Sequence, residues 1–215
     1  MKRALLALTL AAALPFTASA AEGISYNYVE AGYAKTDAKS SFNDADGWAI
    51  AGSYAFLPNF HVFGGYSKQE TDSFKVDGIP GLSYSYDLDN WNLGVGYNHE
   101  LSKRVDLVTR IAYQESKADF GYGASEKHKG GSVEVGVRGS LAPNWEGYAF
   151  AGYQDLDTKY KGFIEDTGFQ KPDNDKFYGR IGTQVKFNQN WGITADAKFI
   201  DGGNKEFFIG PRYSF

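Results

Sequence analysis

The chain has 215 residues, 42% apolar and 22% charged, with a formal net charge of −4, no Cys and one Met. Without Cys there is no disulfide scaffold and no thiolate metal site, and beyond residue 20 no apolar run is long enough for a membrane-spanning helix. An aromatic content of 16% and 26 Gly point away from helices and toward strands.

Residues 1–20, MKRALLALTLAAALPFTASA, read as a cleaved secretory signal peptide. Lys2 and Arg3 form its basic start, an apolar stretch runs to about residue 16, and Ala18-Ser19-Ala20 supplies the small residues of a cleavage site. The mature domain is then 21–215. Losing Lys2 and Arg3 takes its net charge to −6, and losing Met1 leaves it without Met.

Two-residue alternation recurs along the rest of the chain and predicts ten strands. The first is a weak one at 26–35. At 48–56, Trp48, Ile50, Tyr54 and Phe56 alternate with small residues. Weaker alternation follows at 60–67 and 90–98. At 105–114, Val105, Leu107, Ile111 and Tyr113 alternate with Asp106, Arg110 and Gln114, and at 132–141 four apolar residues alternate with Ser132, Glu134, Arg138 and Ser140. Segment 145–154 is weak, and 177–187, 191–199 and 206–215 are clear. Short turns are predicted at Pro58-Asn59, Ser102-Lys103, Pro143-Asn144 and Gln189-Asn190, where LPNF, APNW and NQNW look like variants of one turn. Longer polar connections are predicted at 36–47, 68–86, 116–131, 155–175 and 201–205. This is an up-and-down antiparallel meander, with both termini on the short-turn side. Eight strands is the alternative if the weakest segments fail.

Aromatic placement separates a membrane barrel from a soluble sandwich. Trp48 and Phe56, Trp145 and Tyr153, Trp191 and Phe199, and Phe207 and Phe215 each lie eight residues apart, as do Val105 and Tyr113. Eight residues at ~3.3 Å each, tilted ~40°, rise about 20 Å, close to the lipid-facing band of an outer-membrane barrel. The predicted interface aromatics are Trp48, Phe56, Tyr97, Tyr113, Trp145, Tyr153, Trp191, Phe199, Phe207 and Phe215. Between them lie Ile, Val, Leu, Ala, Gly and Thr. A closed barrel pairs every backbone group, as hydrocarbon requires.

The opposite face is polar and predicts an ionic network in the lumen. Its acids are Glu30, Asp106, Glu134, Glu146 and Asp196, and its bases are Arg110, Arg138, Arg180, Lys186, Lys198 and Arg212. Asn90 and Asn92 share this face, while Phe63 and Phe150 break its polar rule. Six bases against five acids is near balance and leaves the rest of the mature chain at −7, so the long connections are acidic. Eight strands leave room only for side chains and sixteen make an aqueous pore; ten favours a filled lumen, with a narrow channel as the alternative.

The last strand, FFIGPRYSF, carries Phe207, Ile209, Tyr213 and Phe215 on one face, which resembles the C-terminal signal read by the barrel-assembly machinery. Pro211 lacks an N–H for the ladder, so a bulge or locally broken pairing is expected there. The opening AEGISYNYVEAGYAKTDA at 21–38, the leader and the GPRYSF ending together resemble a family of small outer-membrane barrels from plant-pathogenic and related gammaproteobacteria. Some members carry diffusible-signal or immunity-eliciting designations. The chain is similar more broadly to small eight- to ten-stranded outer-membrane barrels. The resemblance implies fold and location: a cell outer membrane, with lipid and lipopolysaccharide as neighbours.

Chemistry is sparsely marked. His61 and His99 flank short turns, and His128 falls in a predicted long connection, where it is the best candidate for the alternative of a lipid-modifying enzyme. The acidic fragments 43–47 and 173–175 lack the twelve-residue spacing of a calcium loop. No catalytic, metal or cofactor-binding residue is assigned, and no nucleic-acid partner is expected of an acidic chain. Aromatics in the connections (Phe42, Phe74, Phe120, Tyr122, Tyr160, Phe163, Phe169) suit either an extracellular ligand or host surface, or packing of the loops on themselves.

Overall fold

Strands in which every second residue is apolar have one face to shield, and here the sheet shields it by closing on itself with that face outward. The computed structural model describes residues 20–39, 44–72, 74–75, 83–121, 123–161 and 175–215. Its strands are β1 (Tyr28–Asp37), β2 (Ala45–Leu57), β3 (Phe60–Thr71), β4 (Phe74–Lys75), β5 (Ser83–Tyr84), β6 (Asp87–Ser102), β7 (Val105–Asp119), β8 (Ser125–Ala142), β9 (Trp145–Lys161), β10 (Lys176–Lys186), β11 (Trp191–Ile200) and β12 (Lys205–Ser214). Strands β4 and β5 form a two-stranded ribbon in the connection between β3 and β6. The other ten make a closed antiparallel barrel in chain order, β1 pairing with both β2 and β12.

The short turns stand where the sequence places them, within one residue. Three of the hairpins they close carry a β-bulge, at Ala55/Leu57, Glu100/Ser102 and Ser140/Ala142, which adds local twist at the barrel rim. At the other end the strands run further than hydrophobic alternation indicates. β7 and β8 continue through 115–119 and 125–131, leaving only 120–124 between them. A charge pair across the two strands helps sustain this polar stretch: Lys127 of β8 reaches Glu115 of β7 at 2.8 Å, while Lys117 and Asp119, 2.7 Å apart, share β7. Likewise β9 runs to Lys161, and 201–204 is a tight turn with positive φ at Gly202 and Gly203.

The outward side chains form the expected band. Trp48, Ile50, Tyr54, Phe56, Leu93, Val95, Val135, Ile181, Trp191 and Phe215 are all exposed on the outer wall. Its aromatics pair across strands at both edges: Trp48 with Tyr66 and Trp91 with Tyr113, each at 5.5 Å, and Tyr153 with Phe177 at 5.2 Å on one side; Phe60 with Tyr97 at 5.1 Å and Trp191 with Tyr213 at 5.0 Å on the other. Tyr97 is the one predicted girdle residue that is covered, at 8% exposure, because the Phe60 ring lies beside it. At Pro211 the register stays continuous with no bulge: Ile193 faces it on β11, while on the β1 side the ladder is interrupted between Glu30↔Arg212 and Tyr33↔Ile209. Local loss of pairing, as the missing N–H dictates, is confined to that side.

Large inward rings are seated on glycines of the adjacent strand. His61 faces Gly96, Phe63 faces Gly94, Phe150 faces Gly136, Tyr178 faces Gly152 and Tyr148 faces Gly182. A Cβ at any of these five glycines would collide with the ring opposite.

Candidate functional site

The inward face of the barrel is the site, and its base is closed by the chain itself. The weak alternation at 26–35 predicts a strand from residue 26, but β1 begins at Tyr28 and residues 20–27 turn into the short-turn end of the lumen. The Ile24 amide donates to the Ala21 carbonyl at 3.1 Å across a turn with Gly23 at φ +85°, a left-handed position that favours Gly. The Glu22 amide donates to the Lys103 carbonyl at 2.8 Å and the Lys186 ammonium to the Gly23 carbonyl. Ala21, Ile24 and Tyr26 form a buried cluster with Val108 and Phe150. Tyr26 stacks on His61 at 4.5 Å, and the Arg138 guanidinium sits 5.0 Å from the Tyr26 ring centre.

All eleven predicted ionic residues face this interior, and eight of them form four Arg–carboxylate pairs stacked along the axis. Near the base, Arg138 donates to Glu146 through Nη2 at 2.6 Å and Nε at 3.1 Å, and Lys186 contacts the other Glu146 oxygen. Arg212 pairs with Glu30 at 2.7 Å and donates to Gln184 at 3.2 Å. Higher up, Arg110 pairs with Glu134 at 3.2 Å, and Arg180 with Asp196 at 2.8 Å. Tyr178 and Tyr148 donate their hydroxyls to Glu134 and Asp196 at 3.2 and 2.6 Å. Lys198 donates to Gln154 at 3.1 Å and lies 3.6 Å from Glu206, an inward acid that the sequence reading missed. Asp106 is different: it accepts from the Tyr26 hydroxyl at 2.9 Å and from the Ala21 amide at 3.0 Å.

The two apolar rule-breakers have a physical reason. Arg110 lies between the Phe63 and Phe150 rings, 5.1 and 5.0 Å from their centres. Both rings supply a cation–π face to a guanidinium held away from water.

Above this layer the lumen widens into a cavity of about 560 Å³. Gln69, Asn92, Gln114, Gln154 and Lys198 line its wall, and Lys35, Phe120 and Asn204 lie toward the long-connection end. Tyr86 packs on Phe120 at 4.8 Å; burial raises its phenol above the ordinary value and the nearby Glu126 carboxylate adds to this. Of the other aromatics proposed for the connections, Tyr160 belongs to β9, whereas Phe42, Tyr122, Phe163, Phe169 and the side chain of Phe74 lie outside the described residues.

His128 is not in a connection but on β8, facing inward at the upper rim. Its Nδ1 is 2.9 Å from the Thr158 hydroxyl and its Nε2 3.1 Å from Glu126. Thr158 is largely buried, and the pair joins β8 to β9 while the half-buried His128 ring stays on the cavity wall. His61 and His99 stand near the base, as their turns indicate. Asp44 of the first acidic fragment is turned to Lys35 and the Ala38 amide; Asn43 and residues 173–174 lie outside the described residues.

A family model described as outer membrane protein beta-barrel domain matches residues 4–162. No curated protein matches the chain in sequence. Among solved structures the chain is similar to the outer membrane protease OmpT from Escherichia coli, with TM-score 0.54 and 9% identity over 93% of this chain and 99% of that one. It is similar to OprG from Pseudomonas aeruginosa, with TM-score 0.48 and 15% identity over 91% and 99%. It is also similar to Ail of Yersinia pestis in complex with the heparin analogue sucrose octasulfate, with TM-score 0.44 and 15% identity over 88% and 97%. At these identities the likeness is one of fold.

Proposed function

Because the chain belongs to the outer membrane protein beta-barrel domain family, we propose that it is a non-conducting, non-catalytic barrel of the outer membrane that presents its long connections and upper cavity to the cell exterior. One observation carries the reading. His61, Asn98, Asp106, Val108, Glu146, Gln184 and Thr194, all at inward positions of the lower barrel, are each below 2% exposed. A water-filled channel would leave such side chains wet. In this reading residues 1–20 are the cleaved export signal and 21–215 the barrel domain. Lipid and lipopolysaccharide surround the aromatic band. Phe215, with Phe207, Ile209 and Tyr213, is the mark for the assembly machinery. The cavity and connections form the surface for an extracellular ligand or host contact.

The orientation is testable because the chain has no Cys. Asp201→Cys, in an exposed turn at the long-connection end, is expected to react with a membrane-impermeant maleimide on intact cells. Gln189→Cys, exposed at the opposite end, is expected to react only after the envelope is opened. The reverse pattern would refute surface presentation. For the enzyme alternative, His128→Ala is expected to leave the envelope lipid profile unchanged; loss of a modified lipid species would transfer the reading to catalysis.

A further inference from the structure

Asp106 stands apart in an otherwise paired lumen. Glu30, Glu134, Glu146 and Asp196 each face an Arg, yet among the described residues no Lys or Arg side chain pairs with Asp106. Its cross-strand neighbour in register is Arg138, which is committed to Glu146 through two nitrogens. The Asp106 side chain is 0% exposed. A buried carboxylate with no direct ion pair is costly, and the Arg138 charge across the strands together with hydrogen bonds from one amide and one phenol compensates it only in part.

The nitrogen that meets Asp106 directly is the backbone nitrogen of Ala21. It lies 3.0 Å from Asp106 Oδ1 and its residue is 2% exposed, while the second carboxylate oxygen is taken by Tyr26. Ala21 also follows Ala18-Ser19-Ala20, the small-residue junction of the leader. A buried carboxylate outside every ion pair and a processing pattern in the sequence meet at one atom.

We propose that the Asp106 pocket is a binding site for the chain's own processed N-terminus. An endopeptidase of the export route hydrolyses the Ala20–Ala21 bond with one water, leaving a carboxylate on the departing Ala20 and an amine on Ala21. At neutral pH that amine takes up a proton, since α-amino groups ordinarily titrate near ~8. The ammonium then becomes the counter-ion of Asp106 and holds 21–26 in the base of the barrel. Packing of Ile24 and Tyr26 and the backbone bonds of Glu22 and Ile24 seat the segment; processing supplies the charge that locks it. The proposal rests on the reading of 1–20 as an export signal and on the sealed base, and its test reads neither conductance nor surface labelling.

The barrel is purified from outer membranes in detergent, and its intact mass gives the first residue. A start other than Ala21 overturns the proposal. An amine-selective acylating reagent is then applied near pH 7, with peptide mass spectrometry following Ala21. The proposal predicts acylation at least tenfold slower in the folded barrel than in urea. Asp106→Asn is expected to accelerate it at least fivefold, whereas Tyr26→Phe, which keeps the ring packing, is expected to stay within twofold of the parent. Equal protection in all three would mean packing alone holds the segment and would overturn the charge pairing. Should Asp106→Asn fail to fold, the parent is acetylated at Ala21 while unfolded and then refolded. Chymotrypsin is expected to cut at Tyr26 at least tenfold faster than in the unacetylated barrel; no difference overturns the proposal.

Discussion

Glu146→Gln is expected to lower the unfolding free energy of the barrel by about 3–5 kcal/mol, read from urea titrations of Trp fluorescence in detergent or lipid. Glu146 is the shared partner of Arg138 and Lys186, and the Arg138–Glu146 pair is almost wholly out of water, at 3% and 2% exposure. Neutralising the carboxylate leaves two cations facing each other at the base, and breaking a buried pair costs far more than the pair itself contributes. Lys186 also donates to the Gly23 carbonyl, so the plug loosens as well. Lys68→Met is the contrasting case of an exposed pair. Lys68 meets Asp87 at 3.2 Å with both side chains nearly half exposed, and its removal is expected to cost about 0–1 kcal/mol. Equal losses in the two variants would show that the lumen is wetter than exposures of 3% and 2% imply.

Gly96→Ala is the second large expected effect. The new Cβ would collide with the His61 ring. That ring cannot retreat: it is 0% exposed and lies beneath Tyr26 at 4.5 Å. Overpacking of this kind costs about 1–3 kcal/mol or more, and a smaller fraction of chains should give the heat-modifiable band on gels. His61→Ala in the same chain removes the obstruction. The double variant is therefore expected to be more stable than Gly96→Ala alone, a positive coupling across one cross-strand pair. Additive losses would show that the ring-on-glycine seating is incidental.

The strand pattern was legible because lipid reads every second side chain. Trp48, Ile50, Tyr54 and Phe56 announce β2 without any tertiary information. The same rule explains where reading stopped. Past the membrane edge no apolar face is required, so β7 and β8 continue on pairs such as Glu115 with Lys127 that leave no periodic signal. The lumen charges were legible as a set, but their partners were not. Arg180 and Asp196 share a hairpin, but Arg212 and Glu30 lie on strands whose register only the closed barrel sets. Phe63 and Phe150 looked like errors in the polar face until Arg110 stood between them. Tyr26 was the least legible residue, since a tyrosine two places before Tyr28 continues the alternation of a strand. That it turns into the lumen instead depends on Asp106, eighty residues away in sequence.

A negative mean hydropathy and the absence of a long apolar run exclude a helical membrane protein only. Averaging a lipid-facing surface with a charged lumen and acidic connections hides the barrel in the composition. The absence of Cys is consistent with the same architecture, because closure and buried ion pairs supply the constraint that disulfides give small exported domains.

A lower lumen shut by Arg138, Glu146, Lys186, Asp106 and the segment 21–26 passes no ions. Planar-bilayer recording of the purified barrel reads this without any substitution. A silent bilayer is expected at protein levels where a porin control conducts; reproducible unitary conductance from the parent chain would show an open lumen.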